Sequence, residues 1–332
     1  MTAVSEIPEQ RFRARVSGWQ HRLLAFSGLI ALIVVFSLAS PNFLQTQNVI
    51  TILQATSVNG VLAIAATLVI ISGGIDLSVG TLMSFCAVIA GVLITNWGLP
   101  IGIGVPGAIL AGVAGGLVSG LLIARLRIPP FIATLGMMLV YKGLALAISG
   151  AKPIYFTETP FFIKIATGSV IGAIIPSLPI PNGVLILFLV AMAIAFVLAR
   201  TVLGRFIFAL GSNQEALRLS GVNIERWKIS VYALAGGICG IAGILIASRI
   251  NSAQPSIGQG YELDAIAAVV IGGTSLNGGR GTMLGTMIGA LIISVVANGL
   301  RILSVSQEWQ IVVTGLIIIL AVYIDILRRR EA

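Results

Sequence analysis

The sequence has little charge. Asp, Glu, Lys and Arg make up 9% of its 332 residues, whereas 57% are hydrophobic and the mean hydropathy is +1.06. A water-soluble chain of this length needs far more charge on its surface. Apolar stretches of about 20 residues, the length that crosses a bilayer, recur along the chain with short polar joints between them. The composition therefore predicts an all-α polytopic membrane protein without a separate soluble domain.

Histidine and cysteine are scarce as well. His21 is the only histidine, and Cys86 and Cys239 both lie in apolar stretches. A membrane enzyme would need His, Asp, Glu or Cys clustered at one membrane face, and the two cysteines have neither metal-ligand spacing nor the density of a disulfide framework. We therefore predict no catalytic residue and no metal site.

A nucleotide-binding loop is also missing. The glycine-rich run 272–281 reads GGTSLNGGRG. It lacks the Lys-Ser/Thr ending and the strand-loop-helix context with which such loops hold phosphate. We expect a flexible joint here and no nucleotide site on this chain. If the protein works with ATP, the ATP must bind to another polypeptide.

Ten spanning helices in a single transmembrane domain are predicted, with eight or nine as the alternative. The first helix is predicted to be uncleaved rather than a secretory signal. The predicted spans are 23–40, 56–73, 78–95, 99–124, 130–149, 181–199, 229–249, 263–276, 283–303 and 310–327. The domain boundaries that follow are an N-terminal tail over 1–22, a single transmembrane domain over 23–327 and a C-terminal tail over 328–332.

The net charge of +9 raises the question of a nucleic-acid partner. The basic residues instead flank the apolar segments, and 15 of the 20 Lys and Arg residues lie on the side that holds both termini. Because basic residues concentrate on the cytoplasmic side of a membrane protein, both termini are predicted to be cytoplasmic. On the outer side, the proline-containing connection 150–180 predicts a short helix at the membrane surface.

The inner connection 200–228 is polar and patterned. Ser212 or Asn213 can cap a short helix, Glu215 and Arg218 suit its positive and negative ends, and Gly221 can terminate it. Apolar surface on this helix favours a protein partner, although a loop lying back on the membrane is the alternative. The candidate docking residues are Ser212, Asn213, Glu215, Ala216, Leu217, Arg218, Ser220 and Gly221.

Two acidic motifs open spanning helices in the two halves of the chain. Asp76, Ser78 and Gly80 open the third span, and Glu262 and Asp264 open the eighth. An aspartate there can cap backbone N–H groups or contact substrate, and the sequence leaves both roles open. Each motif is followed one helix later by a run of small residues. Because the halves are offset by five helices, they would be inverted repeats, which are typical of transporters.

A pathway for a polar solute needs hydroxyl and amide groups between helices. Hydrogen bonding between helices is the competing explanation for any such residue. The candidates are Gln54, Ser57, Asn59, Thr67, Thr134, Gln254 and Asn298. Small residues over 112–120 and glycines at 281, 285 and 289 predict close helix packing, either within one subunit or at a dimer seam.

Three stretches, 72–80, 127–136 and 252–276, together with the inner connection, resemble the ribose-type branch of monosaccharide ABC permeases. The resemblance covers about 23–327. It implies a ten-helix subunit of the type II, vitamin B12 importer-like architecture in a bacterial inner membrane. It also implies that the short inner helix is the coupling helix, in which Leu217 stands where relatives often carry Ala.

The resemblance further implies the partners. These would be a second permease copy (a homodimer, or alternatively a heterodimer), two ATPase subunits that hold ATP and Mg²⁺, and a periplasmic sugar-binding protein. No cofactor is expected on this chain. The alternative from the residues alone is a stand-alone channel or secondary transporter for a small polar solute, which would need no docking helix.

Overall fold

The computed structural model describes residues 25–330, which form helices and one pair of two-residue strands. The strands are β1 (Ile154–Tyr155) and β2 (Ser252–Ala253). The helices are α1 (Ala25–Ala39), α2 (Thr46–Ile71), α3 (Val79–Gly91, continued by a π-helical turn over Val92–Asn96), α4 (Ile101–Ala124), α5 (Pro130–Ser149), α6 (Lys164–Thr167), α7 (Val170–Ile174), α8 (Asn182–Arg200), α9 (Val202–Ser212), α10 (Gln214–Leu219), α11 (Ile224–Ile250), α12 (Tyr261–Ile271), α13 (Met283–Ile302) and α14 (Gln307–Arg330).

Seven of these helices are long and apolar enough to cross a membrane: α2, α3 with its π-helical turn, α4, α5, α8, α11 and α13. The prediction of a helical, multi-pass membrane protein is confirmed. The other three predicted spans coincide with α1, α12 and α14. Within the described residues, α1 and the apolar part of α14 fall short of 18 residues, and α12 has 11. The total of ten spans therefore stays a prediction.

The α4–α11 pair is packed through glycine. A Cβ on Gly116 would overlap the carbonyl oxygen of Tyr232, and one on Gly236 would overlap the carbonyl oxygen of Gly112. Backbones in such direct contact exclude any side chain larger than hydrogen. In the second half, Gly285 and Gly289 pack in the same way on the backbone of α12. These small residues therefore serve packing within one subunit, the first of their two predicted uses.

Helix packing in one half of the chain is repeated in the other. The α2–α13 contact has its counterpart in α11–α4, and α2–α12 has its counterpart in α11–α3. The pairs α3–α4 and α3–α5 correspond in the same way to α12–α13 and α12–α14. Each counterpart is obtained by exchanging α2 with α11, α3 with α12, α4 with α13 and α5 with α14, in both directions.

The connection 150–180 packs on α11. It contains two short helices, α6 and α7, whereas one short helix was predicted. β1 pairs with β2 antiparallel, with Ile154 opposite Ala253. The Ser248 hydroxyl on α11 donates to the carbonyl oxygen of Phe162 at 2.7 Å and accepts from the backbone N–H of Ala166 at 2.9 Å. Because these partners lie more than 80 residues apart, local sequence patterns do not reveal them.

The α4–α11 contact predicts that Gly116→Ala lowers thermal stability. The added methyl group meets a backbone carbonyl that cannot rotate away, so the cost should be about 1–3 kcal/mol or more. The matched control is Gly143→Ala on α5, where no atom lies within 4 Å of the added carbon. Thermal denaturation of the detergent-solubilised chain, followed by size-exclusion chromatography, measures both. Equal melting temperatures would contradict direct backbone packing.

Candidate functional site

The segment between α2 and α3, residues 72–78, is not helical, and Asp76 holds its end in place. The carboxylate Oδ1 accepts hydrogen bonds from the Ser78 backbone N–H at 2.8 Å and from the Ser78 hydroxyl at 2.6 Å. Asp76 is buried, with 6% of its surface exposed. Its partner is the residue that precedes the helix, so Asp76 fixes the entry of the chain into α3 rather than capping the N–H groups of the helix itself.

Thr134 on α5 fixes the middle of the same segment. Its hydroxyl accepts from the Leu77 backbone N–H at 3.2 Å and lies within hydrogen-bond distance of the carbonyl oxygens of Ile75 (3.2 Å) and Pro130 (2.9 Å). Thr134 is fully buried. Thr134, a predicted pathway residue, therefore bonds both to the segment 72–78 and to the first turn of its own helix.

The segment before α12 is held by carboxylate and hydroxyl groups in a similar way. The Glu262 carboxylate accepts from the Gly260 backbone N–H at 3.1 Å, and Ser84 on α3 accepts from the Gly258 N–H at 2.7 Å. Asp264, in the first turn of α12, is half-buried. The non-helical backbone before α12 thus finds its partners partly on α3.

The beginnings of α3 and α12 touch each other. A Cβ on Gly80 would overlap the carbonyl oxygen of Gly258 and would stand 2.6 Å from Glu262 Oε2. Of the predicted helix-start residues, the structure therefore brings Gly80 and Glu262 together. Asp76 lies apart from this contact, in the loop where Gly74 packs against the Tyr232 hydroxyl. That hydroxyl is buried and has no hydrogen-bond partner among the described residues.

In the inner connection, α10 is a six-residue helix with the expected ends. The Asn213 side chain accepts from the Ala216 backbone N–H at 2.9 Å, so Asn213 is the cap and Ser212 is the last residue of α9. Glu215 and Arg218 form an exposed ion pair at 3.5 Å. Gly221 has φ of +79°, a conformation that favours glycine at the end of a helix.

The apolar surface of α10 points away from the rest of the chain. Leu219 is 81% exposed, whereas Leu217 is half-buried. The other predicted docking residues outside α9, from Asn213 to Gly221, are exposed. A leucine surrounded by water on a charged helix is unfavourable unless another molecule covers it. Leu219, which is not among the candidate docking residues predicted from the sequence, is thus the most exposed large apolar side chain of α10.

The end of α9, which leads directly into α10, lies in a cluster of four glycines, Gly73, Gly211, Gly278 and Gly279, which we call the glycine junction. A Cβ on Gly211 would overlap the carbonyl oxygen of Ile71, the last residue of α2, and the Gly279 N–H donates to that oxygen at 2.8 Å. Gly73, Gly278 and Gly279 all have positive φ. The run 272–281 is therefore packed against α2 and α9.

The helix α9 lies inside the connection 200–228 and was not predicted. Its Gly204, Ile207 and Leu210 are buried, and Thr201 caps its start by accepting from the Gly204 N–H at 3.2 Å. Its 11 residues have an amphipathic pattern, which is the sequence signal for this helix. The basic residues of 200–228 indicate a connection and obscure that signal.

Most predicted pathway residues bond to neighbouring groups of the protein. Ser57 donates to the carbonyl oxygen of Gln54 at 2.8 Å, and the hydroxyls of Thr67 and Thr286 are 2.7 Å apart. Asn298 donates to the side chain of Asn48 at 3.0 Å, although its own Oδ1 has no partner in the described chain. These contacts match the competing explanation of hydrogen bonding within and between helices.

Three predicted pathway residues are partly exposed: Gln54, Asn59 and Gln254. Asn59 lies 3.5 Å from the Ser294 hydroxyl on α13, and Gln254 donates to Ser252 at 3.3 Å. Lys142 on α5 was not among the predicted pathway residues, and its ammonium group donates to Gln259 at 3.3 Å. In the described part of the chain, no group of three His, Cys, Asp or Glu residues could hold a metal ion.

Comparison of the sequence with known proteins identifies the family of the chain. The family model described as "Branched-chain amino acid transport system / permease component" matches residues 48–322. The ribose import permease protein of Escherichia coli (strain K12) is 42% identical over 312 residues, which cover 92% of this chain and 94% of that protein.

Other relatives are similar over most of their length. The ribose import permease protein of Bacillus subtilis (strain 168) is 38% identical over 333 residues, or 98% of this chain and 99% of that protein. The fructose import permease protein of Rhizobium meliloti is 36% identical over 302 residues, or 90% and 82%. No solved structure matches the chain.

The hydrogen bonds of Asp76 predict different outcomes for two substitutions. Asp76→Asn keeps an acceptor oxygen for Ser78 and should retain the fold, whereas Asp76→Ala leaves a buried N–H and hydroxyl unpaired and should cost about 1–3 kcal/mol. Thermal melting of the two purified variants measures the difference. If Asp76→Asn were as destabilised as Asp76→Ala, the negative charge rather than the acceptor geometry would be the requirement.

Proposed function

The chain belongs to the family of branched-chain amino acid transport system permease components, and from that premise we propose that it is the membrane-spanning subunit of a binding-protein-dependent ABC importer for a ribose-like monosaccharide. The observation that carries the proposal is identity of 38–42% with ribose import permeases over 92–98% of the chain. Further relatives are named for fructose, L-arabinose and xylose. All these names denote monosaccharides, so the substrate class rests on several relatives.

The chain itself is a non-catalytic permease, and its relatives are named as permeases too. ATP and Mg²⁺ belong to separate ATPase subunits in this proposal. The assembly would contain two permease copies, as a homodimer, with two ATPases below and a periplasmic sugar-binding protein above. The location is the bacterial inner membrane, with both tails, 1–22 and 328–332, in the cytoplasm.

The proposed architecture is ten spans in two inverted repeats, within the domain 23–327, of the type II kind. The repeated packing pairs support it, since α2–α13 corresponds to α11–α4. The short α12, preceded by a non-helical segment, also fits a transporter in which interrupted helices meet within the membrane. The contact between Gly80 and Glu262 marks that meeting point.

We assign α10 as the coupling helix, which docks on the ATPase. Exposed Leu219 supports the assignment, because an interface commonly centres on an apolar side chain that fills a pocket. A movement of α10 would reach the end of α2 through the glycine junction, where Gly211 touches Ile71. From α2 the segment held by Asp76 leads to α3, whose start touches α12. This continuous set of contacts is a physical route from ATPase to pathway.

The exposed side chain of α10 gives a direct test. Leu219→Asp should weaken binding of the ATPase at least about tenfold, because a carboxylate then enters an apolar pocket. The matched control is Leu178→Asp, an exposed leucine in the connection 150–180. Co-purification of tagged permease with its ATPase measures both variants. Unchanged ATPase recovery with Leu219→Asp would contradict the assignment of α10.

The glycine junction gives a second test. Gly211→Ala places a methyl group against the carbonyl oxygen of Ile71 and leaves the exposed side chains of α10 unchanged. We expect the ATPase to co-purify normally while ATP-driven uptake in proteoliposomes falls at least about tenfold. Gly143→Ala serves as the control. Normal uptake by the Gly211 variant would show that the junction does not transmit the movement.

A further inference from the structure

A cavity of about 380 Å³ lies beside α10, and no part of the proposed transport cycle uses it. It is open on one side and is bordered by the turn between α4 and α5, by α10 and by the first turns of α11. Its polar lining residues are Arg127, Gln214, Arg218, Glu225 and Lys228.

The charge of this lining is unbalanced. Arg127, Arg218 and Lys228 contribute three positive charges against one negative charge from Glu225, which leaves an excess of two. Arg218 is 3.5 Å from Glu215 on its exposed side. In the described part of the chain, neither Arg127 nor Lys228 has a carboxylate within 4.0 Å. Lys228 is half-buried, so its charge has lost part of its water without gaining a partner.

Two long helices add to the positive potential. Pro130 is the first residue of α5 and Ile224 the first of α11, so both helices begin at the cavity. The N-terminal end of a helix carries a partial positive charge, although Pro130 has no backbone N–H and the Arg226 N–H is already bonded to the Asn223 side chain. Cationic side chains and helix N-termini on the same cavity together favour an anion.

The rest of the lining is apolar. Ile123 near the end of α4, Ile128 in the turn before α5 and Ile224 at the start of α11 line the same cavity, and these three helices are long and apolar enough to span a membrane. Basic pockets between spanning helices at the cytoplasmic surface suit lipid headgroups. A free anion would need the charges alone, whereas a lipid also covers the apolar groups.

We propose that this cavity binds the phosphate headgroup of an anionic phospholipid from the cytoplasmic leaflet. The Arg127 and Lys228 side chains contact the phosphate, and the isoleucines contact the glycerol backbone and the first acyl carbons. The proposal requires that the chain spans a membrane in the proposed orientation, and does not require that it carries sugar. Because Gln214 and Arg218 belong to α10, the bound lipid also steadies the proposed coupling helix.

The test measures lipid binding to the purified full-length chain. The double variant Arg127→Gln/Lys228→Gln removes two cations that line the cavity. The matched control, Arg125→Gln/Arg226→Gln, removes two exposed cations from neighbouring positions outside the lining. Each protein is titrated with phosphatidylglycerol or with phosphatidylcholine, and the bound lipid is counted by native mass spectrometry. Neither result depends on ATPase or sugar.

We expect wild type and control to bind phosphatidylglycerol in preference to phosphatidylcholine, and the cavity variant to bind it at least about tenfold more weakly. Equal loss in both variants would indicate diffuse surface attraction and overturn the proposal. So would unchanged binding by the cavity variant.

Competition distinguishes a lipid from a soluble phosphate. Glycerol phosphate should displace phosphatidylglycerol poorly, because it makes no apolar contacts in the cavity. If glycerol phosphate displaced phosphatidylglycerol at a concentration equal to that of the lipid, the site would be one for soluble phosphates, and the lipid proposal would be overturned. If the cavity variant instead kept its lipid and lost the ATPase on co-purification, the cations would belong to a protein interface, which would also overturn the proposal.

Discussion

Inside a bilayer an unpaired backbone N–H or C=O group finds no water, so a chain that interrupts its helices there must supply other protein groups at each break. In the proposed architecture, two segments of the described chain are such interruptions, one before α3 and one before α12. At the first, Asp76 and Thr134 supply the partners. At the second, Ser84 and Glu262 do so. The positions of α5 relative to α3, and of α3 relative to α12, follow from these bonds.

Glycine makes the remaining contacts possible. The approach of α4 to α11, the contact of Gly80 with Gly258 and the glycine junction all bring backbone against backbone. Such contacts are short and cannot be adjusted by rotating a side chain, so movement of one element must displace the next. This property fits the proposed coupling role of α10, because backbone contacts at the end of α9 connect it to the end of α2.

Much of the helix layout could be predicted from the sequence, because apolar length and basic flanks are local signals. The ends of α10 were also predictable, since Asn213 and Gly221 act within a few residues of themselves. The contact of Gly80 with Glu262 was not predictable, because it joins residues far apart in the chain. Thr134 shows the same limit: its type allowed a pathway role, and only its neighbours identify it as a support for 75–77. Leu219 became prominent only when its exposure could be compared with that of Leu217.

The proposed function requires that this chain carries a sugar only when a separate ATPase drives it. This requirement is tested by uptake of labelled ribose into proteoliposomes that contain the permease with or without its ATPase and sugar-binding protein. We expect uptake with all components and ATP, and none with the permease alone. Ribose flux through the permease alone, down its gradient or driven by an ion gradient, would instead show a channel or a secondary transporter.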